Sequence, residues 1–171
     1  FTDLPVFVQN DATAACRAEH VYGGGKALSD YAYFFIGSFI GGGVVMNGSV
    51  IDGRNGNAGA FGSLPIPFEG GTRQLIDAAS IYLLEARLEA AGIDPQRIWE
   101  EPRDWDWFPD QLDPWIAEVA LNLAQAAVTV CSVIDFEAIV IDGGFPENVR
   151  TRLVAQTAAR LAELDIDARI D

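Results

Sequence analysis

Asn10 and Asp11 are the adjacent side chains in this sequence best placed to act on a hydroxyl group. They follow the short apolar run Val6–Val8, which predicts a buried strand, and they stand at the start of a predicted helix. A carboxylate held at a strand end can act as a general base when it reaches the proton that it removes. Asp11 is equally suited to an ordinary helix cap, and its position alone leaves both roles open.

The glycine-rich segment Gly37–Gly43 is the second candidate for chemistry. It follows Tyr31–Ile36, an aromatic-rich run that predicts a buried strand. Backbone amides at Gly37, Ser38 and Gly41 are candidates for cradling a phosphate group. The same glycines could instead turn the chain into the hairpin that follows.

Gly143 and Gly144 form a third candidate, because they end the apolar run Ala138–Ile141, which predicts a central strand. Such a turn lies against an adenine or ribose in some nucleotide sites, and in other proteins it is simply a tight connection from strand to helix. The glycine-rich loop between Asp52 and Gly62 leaves its backbone free for close approach and carries Asn57.

The remaining pattern alternates strands and helices, which predicts an α/β domain with a mixed sheet and flanking helices. The Asn47-Gly48 pair between two apolar runs is a strong β-hairpin signal. Helices are predicted from Asn10 or Asp11 to Tyr22, from Thr72 to just before Gly92, from Asp113-Pro114 to about Ile134, and from Pro146 onward, with an extended segment over 64–67.

Composition narrows the possible functions. The chain has 171 residues, half of them hydrophobic, and a net charge of −14, which argues against contact with nucleic acid by this segment. The two cysteines, Cys16 and Cys131, lack metal-binding spacing and are expected to be buried and reduced, which favours the cytoplasm. We expect no membrane-spanning run and no signal peptide.

The order of these motifs resembles the ROK family (repressors, open reading frames and sugar kinases) over the whole chain. The resemblance implies the second half of an actin-like ATPase fold of the ribonuclease H type. It further implies that residues 1–171 form a single C-terminal domain whose partner half lies upstream, together with a helix-turn-helix module if the protein is a regulator.

The resemblance also implies roles for particular residues. Asn10-Asp11 is similar to the family's sugar-contacting Asn and catalytic base, which makes both residues candidates for binding the sugar. Asn57, a third candidate, lies in a loop, 55–63, that is similar to a sugar-binding loop. By the same resemblance, nucleotide or phosphate contacts fall on these residues: Gly37, Ser38, Gly41, Gly143 and Gly144.

Several positions depart from the family pattern. Ala60 and Ser63 stand where its kinases have a sugar-binding Glu and a zinc-binding His, and Ile76 falls where another sugar-binding Glu is expected. The cysteine-rich zinc loop is missing, so a structural zinc site with four nitrogen or sulfur ligands is excluded for this segment. Phe39 replaces the middle glycine of the phosphate loop and should obstruct approach to its backbone.

These departures favour a sugar-sensing, dimerising domain of a ROK-type transcriptional regulator with a degenerate kinase site. Its expected partners are a small sugar, a second copy of the chain, and DNA through an upstream domain. A zinc-independent sugar kinase that uses ATP and Mg²⁺, with Asp11 as base, is the alternative. A purely structural domain that assembles subunits is a third hypothesis. No cofactor is expected unless the protein is a kinase.

Overall fold

The computed structural model describes residues 4–5 and 8–164. The helices are α1 (Asp11–Tyr22), α2 (Ile81–Ala90), α3 (Arg97–Glu100), α4 (Pro109–Val133) and α5 (Glu147–Glu163). The strands are β1 (Tyr31–Ile36), β2 (Ile40–Met46), β3 (Ser49–Ile51), β4 (Pro65–Phe68), β5 (Gly71–Gln74) and β6 (Ala138–Gly143). Short 3₁₀ turns cover Gly24–Ala27, Phe61–Ser63 and Leu75–Asp77.

The main sheet is mixed, as the sequence predicts. Its four strands lie in the order β3-β2-β1-β6, with β1 antiparallel to β2 and parallel to β6. The central strand β1 is bonded on both edges, and Phe34 pairs with Gly42 on one side and Ile141 on the other. The mixed α/β architecture is therefore confirmed.

Helices cover both faces of this sheet. The apolar side chains of β1 point alternately to one face and to the other, so both faces need to be covered. Tyr31 and Tyr33 point toward α1 and pack in a small cluster with Cys16 and Val45. Phe34 points to the opposite face and joins the large core formed with α2, α4 and α5. The strand is consequently apolar along nearly its whole length, which is why it reads as a continuous run.

Aromatic side chains fill the larger core beneath the sheet. Trp105 lies edge-on to Trp115 and to Phe145, with ring centroids 6.4 and 6.5 Å apart. The buried indole nitrogens are satisfied, because Trp105 donates to the Ile98 carbonyl at 3.2 Å and Trp115 to the Ser80 carbonyl at 3.1 Å. These two tryptophans therefore pack the core, whereas Trp99 is 37% exposed.

The hairpin at Asn47-Gly48 forms as predicted. Both residues have positive φ angles, 51° and 66°, and Met46 pairs with Ser49 directly across the turn. These angles at both central positions define a type I′ turn, for which Asn-Gly is the preferred pair.

The helix predicted from Thr72 is wrong at its beginning. The chain from Gly71 to Gln74 is instead strand β5, which pairs with β4, and α2 begins only at Ile81. Gly70 has a φ of 94°, which turns the chain back on itself and lets the two strands pair. The predicted end of α2 at Gly92 is confirmed, since Gly92 has a φ of 74° immediately beyond the helix.

Glu118 of α4 joins the β4–β5 hairpin to α2. Its carboxylate accepts a hydrogen bond from Arg73 of β5 at 2.9 Å and another from Arg87 of α2 at 2.6 Å. Arg73 also lies over the ring of Phe68, 5.1 Å from its centroid. The Glu118 carboxylate therefore attaches the β4–β5 hairpin to helices α2 and α4.

Other predicted boundaries shift slightly. The longest helix, α4, begins at Pro109 rather than at Asp113-Pro114. A proline is favoured at the first position of a helix, and the sequence offers one at each of these two places. The final helix begins at Glu147 with Pro146 as its N-cap. Of the strand predicted at Val6–Val8, residues 6 and 7 lie outside the described residues, and Val8 is in no strand and is 95% exposed.

By length and hydropathy alone, α4 could cross a membrane, contrary to the expectation that no apolar run is that long. Half of its most apolar window is buried inside the protein, where α4 packs along α5 and α2. Core helices of soluble domains commonly have this composition, because they are buried on more than one side. Packing in the core therefore explains the apolar composition of α4.

Helix α1 packs directly on the backbone of β2 because the facing strand residues are glycines. A Cβ atom at Gly41 would lie 2.8 Å from the Cβ of Ala12, and one at Gly43 would lie 2.6 Å from the side chain of Cys16. No real side chains approach so closely. These glycines therefore have a packing role that the sequence alone did not reveal.

Replacing Gly43 with alanine is expected to lower the free energy of unfolding by about 1–3 kcal/mol, because the added methyl group must displace α1. Urea unfolding measures this change. Gly24→Ala is the matched control, since its Cβ would meet only the far end of Glu19 at 3.7 Å. Equal effects of the two substitutions would contradict the close packing of α1 on β2.

The two cysteines differ in exposure, although the sequence predicted both to be buried. Cys16 is buried between α1 and the sheet, but Cys131 is exposed on α4. Burial raises the pKa of the Cys16 thiol to about 11. The protonated thiol is a poor nucleophile, so both burial and protonation protect Cys16 from thiol reagents.

A thiol reagent near neutral pH should therefore label Cys131 in the folded protein and reach Cys16 only after unfolding. Absorbance from a disulfide reagent, followed over time with and without denaturant, counts the reacting thiols. Cys131→Ser should remove the fast phase. Rapid labelling that persists in this variant would show that Cys16 is accessible.

Candidate functional site

A cavity of about 220 Å³ opens between the N-terminus of α1, strand β2 and the glycine-rich loop that follows β3. Its lining residues come from four separate parts of the chain: Asn10, Thr13, Ile40, Gly41, Gly42, Gly56, Asn57, Ala58, Gly59, Ala60, Gly62, Ser63 and Ile76. The fold thus brings together two of the predicted sugar-binding residues, Asn10 and Asn57. It also brings the three positions that depart from the family pattern, Ala60, Ser63 and Ile76, to the same cavity.

Asn10 is the N-cap of α1 and lies on the cavity wall. Its side-chain oxygen accepts a hydrogen bond from the backbone N–H of Thr13 at 3.2 Å and lies 3.5 Å from the Thr13 hydroxyl. The cap therefore fixes the orientation of the amide. Among the described residues its amide nitrogen has no acceptor, which leaves two N–H donors for a ligand.

Asp11 follows as the first residue of α1 and is exposed. One carboxylate oxygen accepts the N–H of Ala12 at 2.8 Å, and an acidic residue in the first turn is favoured by the helix dipole. The side chain is not among those that line the cavity. Its role as a general base stays a prediction.

The loop carrying Asn57 is held close to the sheet. Gly59 has a φ of 78°, and a Cβ there would lie 2.5 Å from the Cα of Gly43, so the loop rests on the bare backbone of β2. Phe61 then stacks on Phe34 with ring centroids 4.6 Å apart. These contacts place Asn57 at the rim of the cavity, where it is exposed.

Several of the other lining residues are apolar. Gly62 packs between Ile40 and Ile76, since its Cβ would lie 2.5 Å from the Ile40 carbonyl oxygen and 3.6 Å from the Ile76 Cβ. Ala60 lines the same cavity, and Ser63 adds a hydroxyl. None of the lining residues in the described chain carries an ionisable side chain.

The predicted phosphate segment is divided between a turn and a strand. Gly37 and Ser38 lie in the turn after β1, whereas Gly41 lies within β2 and lines the cavity. The carbonyls of Gly37 and Ser38 accept the first N–H groups of α2, from Ile81 at 3.0 Å and Tyr82 at 3.2 Å. The turn is therefore tied to the N-terminus of α2.

Phe39 completes this turn and is 62% exposed. Its ring packs on Tyr82, with centroids 5.4 Å apart. The side chain thus covers one side of the turn where a glycine would leave the backbone bare.

Gly143 and Gly144 connect β6 to α5. Gly144 donates its N–H to the Ile36 carbonyl at 3.0 Å, and a Cβ at Gly143 would lie 2.3 Å from that carbonyl oxygen. The ends of β1 and β6 approach so closely that position 143 must be a glycine. This packing explains Gly143 whether or not a ligand binds there. Nucleotide contacts at these two residues stay predictions.

Asp142, just before this turn, accepts a hydrogen bond from the Tyr33 hydroxyl at 3.0 Å and pairs with Arg150 at 2.9 Å. Burial and the neighbouring Asp142 charge raise the pKa of Tyr33 well above its usual value. Tyr33 is consequently a permanent donor, and this pair fastens the end of β6.

Within the described residues no cluster of His, Cys, Asp and Glu is placed to hold a metal ion. His20 instead contacts the Gly48 carbonyl through Nε2 at 3.0 Å, linking α1 to the β2–β3 turn. One lining residue, Thr13, lies outside every segment that the sequence analysis identified as a candidate site. Thr13 shares a turn of α1 with Asn10, and that spacing was the only available signal.

Comparisons with known proteins give consistent results. The profile described as the ROK family matches residues 1–163. A glucokinase from Halalkalibacterium halodurans is 40% identical over 165 residues, covering 84% of this chain and 50% of that protein. The chain spans between about a third and a half of the length of the curated relatives that it matches first.

Solved structures of kinases and of a regulator share the fold. The ROK hexokinase from Thermus thermophilus has a TM-score of 0.67 at 26% identity, covering 93% of this chain and 58% of the hexokinase. A ROK family transcriptional regulator, a homolog of the E. coli MLC protein, has a TM-score of 0.70 at 24% identity, covering 95% of this chain and 45% of the regulator. The latter likeness shows the fold alone.

Replacing Asn10 with alanine should lower the free energy of unfolding by about 1 kcal/mol, because the Thr13 N–H loses its cap. Asn10→Asp keeps a capping oxygen and should stay close to the parent protein. Thermal or urea unfolding compares the two variants. If Asn10→Ala and Asn10→Asp lower the free energy of unfolding equally, Asn10 does not stabilise the protein through its capping hydrogen bond.

Proposed function

The chain belongs to the ROK family and has its actin-like ATPase fold, and we propose that it is the sugar-sensing, dimerising domain of a transcriptional regulator with a degenerate kinase site. Its relatives and structural neighbours include both sugar kinases and a regulator. The choice between these roles rests on the site.

The observation that carries the proposal is the composition of the cavity. Its polar side chains are the amides of Asn10 and Asn57 and the hydroxyls of Thr13 and Ser63. Amides and hydroxyls bind a neutral sugar through hydrogen bonds. Phosphoryl transfer additionally needs a base positioned on the attacking hydroxyl, and among the described residues no carboxylate, including that of Asp11, belongs to the cavity lining.

The turn after β1 supports the same conclusion. The N-terminal amides of a helix readily bind phosphate, but the first amides of α2 are already bonded to the carbonyls of Gly37 and Ser38. Phe39 adds a bulky ring beside that turn. Tight binding of a nucleotide phosphate at this place would require both features to rearrange.

The regulator role implies two further partners, DNA and a second copy of the chain. With a net charge of −14, this segment would be repelled by DNA, so operator contact belongs to an upstream domain. An apolar groove at the C-terminal end of α4 includes Val44, Val133 and Phe136 in its lining, and Val133 is 80% exposed, which favours association with a second copy.

The alternative is a zinc-independent sugar kinase with Asp11 as base and with Gly37, Ser38, Gly143 and Gly144 near ATP and Mg²⁺. The glucokinase at 40% identity favours this reading. It requires Asp11 to turn toward the cavity when the sugar binds.

Turnover of ATP by the full-length protein distinguishes the two functions. With a panel of hexoses we expect saturable sugar binding by calorimetry, but ADP formation at least a thousandfold below the roughly 1–100 s⁻¹ of typical kinases. Asp11→Asn should change neither measurement.

Asp110→Asn is the matched control, because Asp110 is likewise an exposed acidic residue in the first turn of a helix. Sugar-dependent ADP formation that Asp11→Asn abolishes and Asp110→Asn preserves would establish the kinase and refute the regulator.

A further inference from the structure

We infer that the outer edge of β5 pairs with the same edge of a second copy of this chain. Two β4–β5 hairpins then form one four-stranded antiparallel sheet across a two-fold axis. This inference rests on the proposed dimerising function and gives it a surface. It follows from the unlike chemistry of the two edges of the hairpin.

The hydrogen bond at the base of the hairpin determines which backbone groups point outward. The N–H of Leu75 donates to the carbonyl of Leu64 at 2.9 Å, so these two residues bond to each other across the ladder. In an antiparallel pair, bonded and outward-facing positions alternate along each strand. Arg73 therefore bonds toward β4, whereas the N–H and C=O groups of Thr72 and Gln74 point to the outer edge of β5.

The outer edge of β4 is closed by proline. Its outward-facing positions are Pro65 and Pro67, the register partners of Gln74 and Thr72. Because proline has no N–H, a strand added at this edge would find carbonyl acceptors but no donors at these positions. Prolines on an edge strand oppose pairing with another chain. A further strand is therefore blocked at β4 and can be added only at β5.

The outer edge of β5 is open. Thr72 and Gln74 are exposed, and within residues 4–5 and 8–164 the hairpin is a sheet of two strands without a further neighbour. An exposed row of unpaired N–H and C=O groups is a template for another extended strand. The side chains at these positions are an uncharged hydroxyl and an uncharged amide, so no charge there opposes a partner.

A second copy of the chain fits this edge, because antiparallel pairing of two identical strands obeys two-fold symmetry. Pairing centred on Thr72 places Arg73 across from the partner's Gly71 and brings Thr72 opposite its own copy, which is a favourable cross-strand pair. Pairing centred on Arg73 would place two arginines directly opposite each other, which is destabilising. Charge therefore favours the register centred on Thr72.

The rest of the protein holds this edge in place. The Arg73 side chain donates to Glu118 of α4 at 2.9 Å, and Ile66 is 1% exposed in the main core. Ile66 and Arg73 are register partners, so their side chains lie on the face of the hairpin opposite to those of Thr72 and Gln74. An edge held in this way loses less conformational entropy when a second copy binds.

The hairpin also begins beside the apolar groove at the C-terminal end of α4. Leu64, the residue immediately before β4, lines that groove together with Val133 and Phe136. A second copy that covers the groove therefore lies next to the hairpin. The groove would supply apolar burial to the interface, and the paired β5 strands would supply directed hydrogen bonds.

Sedimentation of the full-length protein over a range of concentrations tests the inference through Gln74→Pro. Gln74 has a φ of −82°, close to the angle that proline requires, and its N–H points outward. The substitution thus removes a donor from the edge of each copy and leaves the bonds to β4 intact. We expect the dimer dissociation constant to rise at least tenfold. Gln74→Val is the matched control, because it keeps the N–H and should leave the constant within about twofold.

Thr72→Cys tests the register directly. Paired residues at position 72 would have their Cα atoms about 5.5 Å apart, within the range that a disulfide spans. In a Cys131→Ser background, oxidised glutathione should link the two copies, which non-reducing electrophoresis detects. Thr151→Cys in the same background is the matched control, since Thr151 is also an exposed threonine but lies on α5, and it should form little cross-linked dimer.

The outcomes separate this inference from the function on which it rests. A full-length protein that is monomeric at every concentration would refute the dimerising function and the inference together. A dimer that Gln74→Pro does not weaken would refute the pairing of β5 while dimerisation stands. Slow hydrogen exchange of the Thr72 and Gln74 amides in the monomer would also refute it, because another segment would then cover the edge.

Circular dichroism and protection of the Arg73 amide from hydrogen exchange verify that the hairpin of each variant is folded. If Gln74→Pro disturbs the hairpin, the cross-link alone decides the outcome. A dimer in which Thr72→Cys forms no more cross-link than Thr151→Cys refutes the pairing.

Discussion

The close packing of α1 on β2 is the constraint on which the rest of this structure depends. Gly41 and Gly43 leave no side chain between helix and strand, so Ala12 and Cys16 lie directly on the strand backbone. Gly59 rests on the same strand from the loop side, close to Gly43. The cavity is the space left where these segments converge, and a side chain on any of the three glycines would alter its shape.

Two longer-range connections complete the cavity. Glu118 holds the β4–β5 hairpin against the helical layer through Arg73 and Arg87, and that hairpin leads directly into the turn carrying Ile76. Ser80 then bridges Ile76 to Ile40. Ile40 and Ile76 are therefore positioned by contacts that involve β2, β5, α2 and α4, whereas Asn10 is positioned by its capping of α1.

Binding and phosphoryl transfer make different demands on such a site. Binding needs hydrogen-bond partners and a shaped surface, which amides, hydroxyls and aliphatic side chains provide. Transfer also needs a positioned base and exposed amides for phosphate. Asn10 and Asn57 contribute amides to the cavity lining, while Phe39 packs beside the turn after β1 and the first N–H groups of α2 are already bonded.

Local signals in the sequence determined the elements whose stability is local. The helix start at Asn10 or Asp11, the apolar run of β1 and the Asn47-Gly48 turn were each predicted from a few neighbouring residues, and all three elements form; the structure assigns the cap to Asn10. The resemblance to the family placed Asn10 and Asn57 together before any geometry was known. Long-range contacts decided the rest. Arg73 of β5 is bonded to Glu118 of α4, and Ile76 lines the cavity together with Ile40, to which Ser80 links it. Such contacts join residues far apart in the chain, so only the tertiary structure could reveal them.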